Sequence, residues 1–255
     1  MKTKLIMPVI LFFALLANVV SAQSADDVVN KFIEARGGKA KWDQLTSLKM
    51  TGNIDIGPNM KAPFTILMKD KTKFRFEMEI QGMKMIQALD GDSGWAIVPF
   101  GGKKDPERMS PDDVKTAQEQ ADYTGDLYDY KKKGNTVELL GKEDMEGTET
   151  YKLKVTKKNQ DVIYIYLDAN TYLTLKETSK HKFKDKEVEG SSLPSNYKDV
   201  NGYKFPFVME MRGSDEDSNG QSMTIETVEV NPKIDNTLFV MPPVASAVEP
   251  PKDSK

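Results

Sequence analysis

Lys73-Phe74-Arg75-Phe76-Glu77-Met78-Glu79-Ile80 decides how this chain is read. Phe74, Phe76, Met78 and Ile80 alternate with Lys73, Arg75, Glu77 and Glu79. Successive side chains of an extended strand point to opposite faces, so one face is apolar and the other charged. The preceding segment repeats the pattern with Ala62, Phe64, Ile66 and Met68, and the one before it with Leu48, Met50, Ile54 and Ile56. Three consecutive strands thus send apolar side chains to one side of a sheet. That side is either an ordinary core or the wall of a cavity for something apolar.

Working outward, Gly57-Pro58-Asn59 and Asp70-Lys71-Thr72 read as turns, and Asp90-Gly91 as a hairpin turn between Met83–Leu89 and Trp95–Val98. Strand periodicity resumes at Thr136–Leu140, Thr150–Thr156 and Val162–Leu167, then at Leu173–Phe183, Val188–Tyr197, Tyr203–Met211 and Ser222–Val230. Asn201-Gly202 is a hairpin turn, and Asn231–Phe239 a short turn or helix that tucks Leu238 and Phe239 against the sheet. Two segments have helical character. Ser24–Arg36 carries Val28, Val29, Phe32 and Ile33 on one stripe, Ser24 as cap, Asp27 in its first turn and Gly37-Gly38 at its end. Lys39–Leu45 is a short sequel with Trp42 and Leu45 turned inward. Ser110-Pro111-Asp112-Asp113 opens a second long helix running to about Ala121. The sum is about ten or eleven strands in an antiparallel meander, which curls or closes rather than staying flat. The expected class is mainly β (α+β).

The N-terminus has the form of a secretory signal. Lys2 and Lys4 precede an apolar run from Leu5 to Ala17, and Val20-Ser21-Ala22 offers a cleavage site. That run is shorter than the ~20 residues a spanning helix needs, and no later segment is apolar enough to cross a bilayer. The expected organisation is a signal peptide at 1–22, one domain at 23–241 and a disordered tail at 242–255, with a periplasmic location. Loss of Lys2 and Lys4 takes the formal charge from −3 to −5, and this mildly acidic, sign-mixed chain is not expected to bind nucleic acid. The absence of cysteine excludes disulfides, thiolate metal sites and thiol nucleophiles. The 14 methionines are of a kind that lines adaptable surfaces or fills core gaps.

Catalytic constellations are scarce. His181 is the single histidine, Gly-rich phosphate loops and nucleophile elbows are absent, and no nucleophile is set beside a base, so an enzyme is not expected. Asp215, Asp217, Asn219, Gly220 and Glu226 satisfy a calcium-loop pattern. The flanks alternate like strands rather than helices, which puts Glu226 up to ~20 Å from Gly220. A polar hairpin loop is the expectation there, with no metal and no cofactor.

One local match is informative. Met68-Lys69-Asp70-Lys71, then Phe74-Arg75-Phe76-Glu77-Met78, then Asp90-Gly91, Trp95 and Val98-Pro99-Phe100 resemble the strand, charged turn, aromatic strand and Asp-Gly…Trp…Asn-Pro-Phe succession of the periplasmic lipoprotein-carrier superfamily, LolA-like and LolB-like. The chain looks most like a long variant of the outer-membrane lipoprotein-sorting proteins of Bacteroidetes-type bacteria. The resemblance implies a single strongly curved antiparallel sheet forming an open half-barrel, its concave face covered by the N-terminal helix and the mid-chain helical segment. It implies a cavity for lipoprotein acyl chains or lipid, and a membrane receptor as further partner. Carriers have Arg-Pro in the charged turn, where the arginine governs the lid, and Asp70-Lys71 stands there instead. By alternation Arg75 points to the charged face and is not assigned that role.

The ligand-lining set is therefore Met50, Phe64, Ile66, Met68, Phe74, Phe76, Met78, Ile80 and Trp95. The alternative is a cell-envelope sensor or scaffold using the same fold to bind a protein partner, with Tyr123, Tyr128 and Tyr130 as its exposed aromatics.

Overall fold

The computed structural model describes residues 23–57, 59–99, 105–183, 186–213 and 220–243. The expected signal peptide, the candidate calcium ligands Asp215, Asp217 and Asn219, and nearly all of the expected tail lie outside them. In chain order the elements are α1 (Ala25–Ala35), α2 (Lys39–Asp43), β1 (Ser47–Gly57), β2 (Met60–Lys69), β3 (Lys73–Ile80), β4 (Met83–Asp90), β5 (Ser93–Ile97), β6 (Glu107–Arg108) and α3 (Pro111–Ala121). There follow β7 (Thr136–Met145), β8 (Thr148–Thr156), β9 (Val162–Asp168), β10 (Thr174–Phe183), β11 (Lys186–Val200), β12 (Tyr203–Gly213) and β13 (Gln221–Val230). Among the described residues a 3-10 turn, Asn236–Leu238, comes last.

All 13 strands join one sheet in the order β6-β5-β4-β3-β2-β1-β13-β12-β11-β10-β9-β8-β7, antiparallel throughout and not closed into a barrel. Two hairpin meanders, β1–β6 and β7–β13, meet where β1 pairs with β13. This is the open half-barrel expected. The strand count exceeds the ten or eleven expected, in part because β6 is a two-residue strand opposite Trp95 and Ala96, too short to show periodicity.

Register defines the inner face. Directly opposed residues share a face, so Leu153, Ile165, Glu177, Ser192 and Met211 form one row across β8–β12. The next row runs Pro194, Met209, Met223, Ile54 and Ala62 across β11, β12, β13, β1 and β2. The helices divide this face. Val28, Val29 and Phe32 of α1 pack on Tyr151, Leu153, Val155, Ile165 and Leu167. Trp42 of α2 and Ala117 and Ala121 of α3 pack on β1–β4 and on Tyr203, Phe205 and Phe207 of β12.

The helix ends follow from local chemistry. Ser24 and Asp27 form a reciprocal capping box, the Ser24 hydroxyl accepting from the Asp27 amide at 3.1 Å and the Asp27 carboxylate from the Ser24 amide at 3.0 Å. Ser110 also caps α3, its hydroxyl accepting from the Asp113 amide at 3.2 Å. Gly94 of β5 lets α3 come close, because a Cβ there would stand 2.6 Å from the Met109 sulfur.

A joint between the helices and the sheet is at the end of α1. The Arg36 carbonyl accepts from the Trp42 indole at 3.1 Å and from the Lys204 amide of β12 at 3.0 Å. Gly37, at φ +118, allows it, since a Cβ there would lie 2.2 Å from the Gly202 carbonyl oxygen. Gly37→Ala is therefore expected to cost at least ~1–3 kcal/mol from backbone strain alone, read as a lowered chemical-denaturation midpoint.

Candidate functional site

The inner face has a gap where small side chains follow one another across β10 and β11. Ser179 lies opposite Gly190, and Glu177 opposite Ser192. Little volume fills this trough, and α3, packed on β3–β5, borders it with polar side chains. The result is a cavity of about 940 Å³ between α3, the turn segment 122–135 and β9–β12. Ile163 and Met211 give its sheet side some apolar surface, while most of the lining is polar or charged, with Lys115, Glu119 and Asp122 on the α3 side. Behind it lies a chamber of about 140 Å³, backed by Phe32, Leu127, Ile165, Pro194, Pro206 and Met209. Gly125, Asp126, Glu177 and Ser192 line both spaces.

The roof is tied down by charge. Lys157, before β9, reaches Glu119 of α3 at 2.8 Å and Asp126 at 3.6 Å, and Lys115 of α3 faces Asp161 at 3.6 Å. Lys133 pairs with Asp122 and donates to the Thr124 hydroxyl at 2.9 Å and the Gly125 carbonyl at 2.6 Å, so the segment 122–135 is closed on itself.

The chamber holds charged groups that an apolar core would exclude. The Arg36 guanidinium lies 4.2 Å from the Trp42 ring centroid and 5.5 Å from that of Phe32, and lines the chamber with Tyr197 and Glu177. Burial lowers the Arg36 pKa, with Tyr197 and Glu177 acting the other way. Burial pushes the Glu177 carboxyl above the usual range and Asp126 adds to this, against Arg36 and Lys157. Burial also raises Asp126 itself, opposed by Lys157 and Lys133. Tyr197 is pushed up to about 12 by burial, and its hydroxyl donates to the Thr174 carbonyl at 3.0 Å.

None of the nine residues expected to line a site borders these spaces. Eight of them do share the inner face. Phe64, Ile66 and Phe74 are buried in the α2–α3 core, with Met50, Met68, Phe76 and Met78 packed against it. Ile80 is half-buried at the end of β3. Trp95 is a correction: it lies on the opposite, outer face. Register sets Asp90 against Ser93, Leu89 against Gly94 and Ala88 against Trp95, while Phe74 pairs with Leu89. On that outer face Trp95 packs with Ile86 and Ala88, and its indole donates to the Phe239 carbonyl at 2.8 Å.

Arg75 is on the outer face as alternation required, yet it is buried. It bonds Glu77 and the Leu238 carbonyl, each at 2.6 Å, with Trp95 beside it. Phe239 is fully buried against Leu67 and Ile234, whereas Leu238, expected inside, is exposed. The tyrosines proposed as a partner surface are also corrected. Tyr128 and Tyr130 are buried, with hydroxyls donating to Asp43 and Asp26, and half-buried Tyr123 donates to the Leu45 carbonyl at 2.6 Å. Lys71, in the charged turn, comes 5.3 Å from the Tyr128 ring centroid. Glu226 lies on β13 and accepts from Asn53 at 2.8 Å.

With this geometry the comparisons can be placed. A family model described as "-like: Uncharacterized protein" matches residues 69–242. The chain belongs to that family. No curated protein matches it in sequence. Its fold is LolA-like. A LolA superfamily protein from Nitrosomonas europaea superposes with TM-score 0.57 at 15% identity, covering 86% of this chain and 98% of the other. A DUF1329 family protein from Desulfovibrio piger gives 0.58 at 14%, covering 86% and 98%. A protein described as an outer membrane lipoprotein-sorting protein domain, from Vibrio parahaemolyticus, gives 0.53 at 15%, covering 85% and 95%. No helix among the described residues is long and apolar enough to cross a membrane.

Two outcomes follow from these placements. Trp95→Phe is expected to lose ~1–3 kcal/mol through the unpaired Phe239 carbonyl, with faster hydrogen exchange at the C-terminal segment. For Glu177 the sign follows from its raised native pKa. The carboxyl supports the fold fully while protonated, and that support is lost as pH rises from its unfolded value near ~4.3 through the native one. Glu177→Gln is therefore expected to raise the melting temperature at pH 8 and not at pH 4.

Proposed function

We propose that the protein is a periplasmic carrier or binding protein for a lipid-like ligand, lipoprotein acyl chains or a lipid, held in the cavity between α3 and β9–β12. The observation that carries this is the cavity of about 940 Å³ on the inner face of the half-barrel, with Ile163 and Met211 on its sheet side and charged groups on its α3 side. Its size is in the range of small-molecule sites, ~300–1,000 Å³. An alkyl chain laid on Ile163 and Met211 gains ~0.8 kcal/mol per buried CH2, and no covalent chemistry is needed. The lipoprotein-sorting description of the Vibrio parahaemolyticus relative supports the same reading.

In this proposal the row from Met50 to Ile80 is the core that holds α2 and α3, and the ligand seat is on the other wing. Ser192→Trp, which fills the trough, is expected to abolish uptake of a fluorescent fatty acid at a nearly unchanged melting temperature. Phe76→Glu is expected to lower the melting temperature first. Uptake that survives Ser192→Trp, or is lost in a Phe76→Glu protein that melts like the parent, would overturn this placement. Native mass spectrometry of protein purified from a cell envelope would name the ligand class.

A further inference from the structure

Four charged groups stand around the inner chamber that alkyl-chain binding does not use: Arg36, Glu177, Asp126 and Lys157. Two of them are engaged with each other, since Lys157 is held by Glu119 and Asp126. Lys133, the next nearest cation, is held by Asp122, Thr124 and Gly125. Arg36 and Glu177 remain. Among the described residues neither side chain makes a hydrogen bond or an ion pair, although each lies in the other's field. Both face the chamber, so their polar atoms open onto it rather than being sealed in protein.

Arg36 and Glu177 are half-buried in the chamber wall, and a guanidinium and a carboxylate drawn out of bulk water without touching are each short of a partner. The group that answers both carries an anion and a hydrogen-bonding cation. Arg36 is already oriented: its carbonyl is fixed by Trp42 and Lys204, and its guanidinium plane lies by the Trp42 ring. The planar fork suits the paired oxygens of a phosphate. At the other end Glu177 is reinforced by the negative field of Asp126. That end recognises a primary ammonium, which donates to carboxylate. A quaternary ammonium would need several aromatic faces around it; the rings of Phe32 and Trp42 face Arg36, and Tyr197 is the one further ring lining the chamber.

We propose that the inner chamber is a headgroup site for a zwitterion of the ethanolamine-phosphate kind, the phosphate on Arg36 and the primary ammonium on Glu177. The inference rests on the carrier reading above. The chamber holds the headgroup, and the chain runs past Gly125 and Ser192 into the larger cavity, which the two spaces share as a border.

The test is calorimetry on the intact protein with four ligands of one acyl chain, all below their micellar concentrations: lauroyl lysophosphatidylethanolamine, lysophosphatidylcholine, lysophosphatidylglycerol and monolauroylglycerol. The ethanolamine lipid is expected to bind at least ~10-fold more tightly than the other three. Arg36→Gln and Glu177→Gln are each expected to remove that preference while leaving the monolauroylglycerol affinity in place. Should Arg36→Gln fail to fold, Glu177→Gln alone decides the ammonium end and Arg36→Lys the fork. Displacement of the lysolipid by free O-phosphoethanolamine would point to a soluble source of the group, and its failure to displace to a lipid-borne headgroup. Four ligands bound alike, with both variants like the parent, would overturn the headgroup site and leave the carrier reading standing. Binding of none of the four would overturn the carrier reading itself and the headgroup site with it.

Discussion

The Arg36 carbonyl ties the helical layer to the sheet, alongside the β1–β13 ladder that joins the two wings. Backbone carbonyls at a helix end have no partner within the helix and must find one elsewhere. Here the partners come from the indole of α2 and the Lys204 amide near the start of β12, so one oxygen joins α1, α2 and the sheet. The approach is so close that Gly37 and Gly202 meet backbone to backbone. Because this joint fixes where α1 ends, it also fixes where the Arg36 side chain begins, at the back of the chamber.

The distribution of side-chain volume explains why an antiparallel sheet with helices on one face is not filled throughout. On the β1–β4 wing, aromatic and methionine side chains reach up to α2 and α3 and leave no room. On the β7–β9 wing, α1 presses directly on branched residues. Between them, Ser179, Gly190 and Ser192 give the sheet almost no height. A helix cannot follow such a dip, and α3 stays on β3–β5, tied across to the segment before β9 by Lys157–Glu119 and Lys115–Asp161. Burial then works on Glu177 and Asp126, whose carboxyls are held above the usual range because the trough is deep but not sealed.

Much of this was legible in the chain. The Ser24 and Ser110 caps, the alternation through β1–β3 and the Asp90-Gly91 turn all act over a few residues, where sequence and structure are tightly coupled. The side of the sheet taken by Trp95 was legible too, by counting register from the Asp90–Ser93 pair, although its aromatic character pulled the reading toward the apolar row. The cavity left a fainter trace: a strand, Gly190-Ser191-Ser192-Leu193-Pro194-Ser195, made mostly of small residues, and an acid, Glu177, in line with apolar neighbours. Neither is conspicuous until the rows are aligned across β8–β12. Tyr123, Tyr128 and Tyr130 could not be placed from sequence, because turns impose no period that says which way a ring points.

The sequence by itself determined the class, the helix ends, the hairpins and the apolar row of β1–β3, since each rests on local periodicity or capping between residues close in the chain. Tertiary structure alone decided which apolar surface became core and which became cavity wall. That choice depends on how far each covering helix stands from the sheet, and on bringing Arg36 beside Glu177 from opposite ends of the fold. Such a distance is set by the summed packing of many side chains, and no short stretch of sequence encodes it.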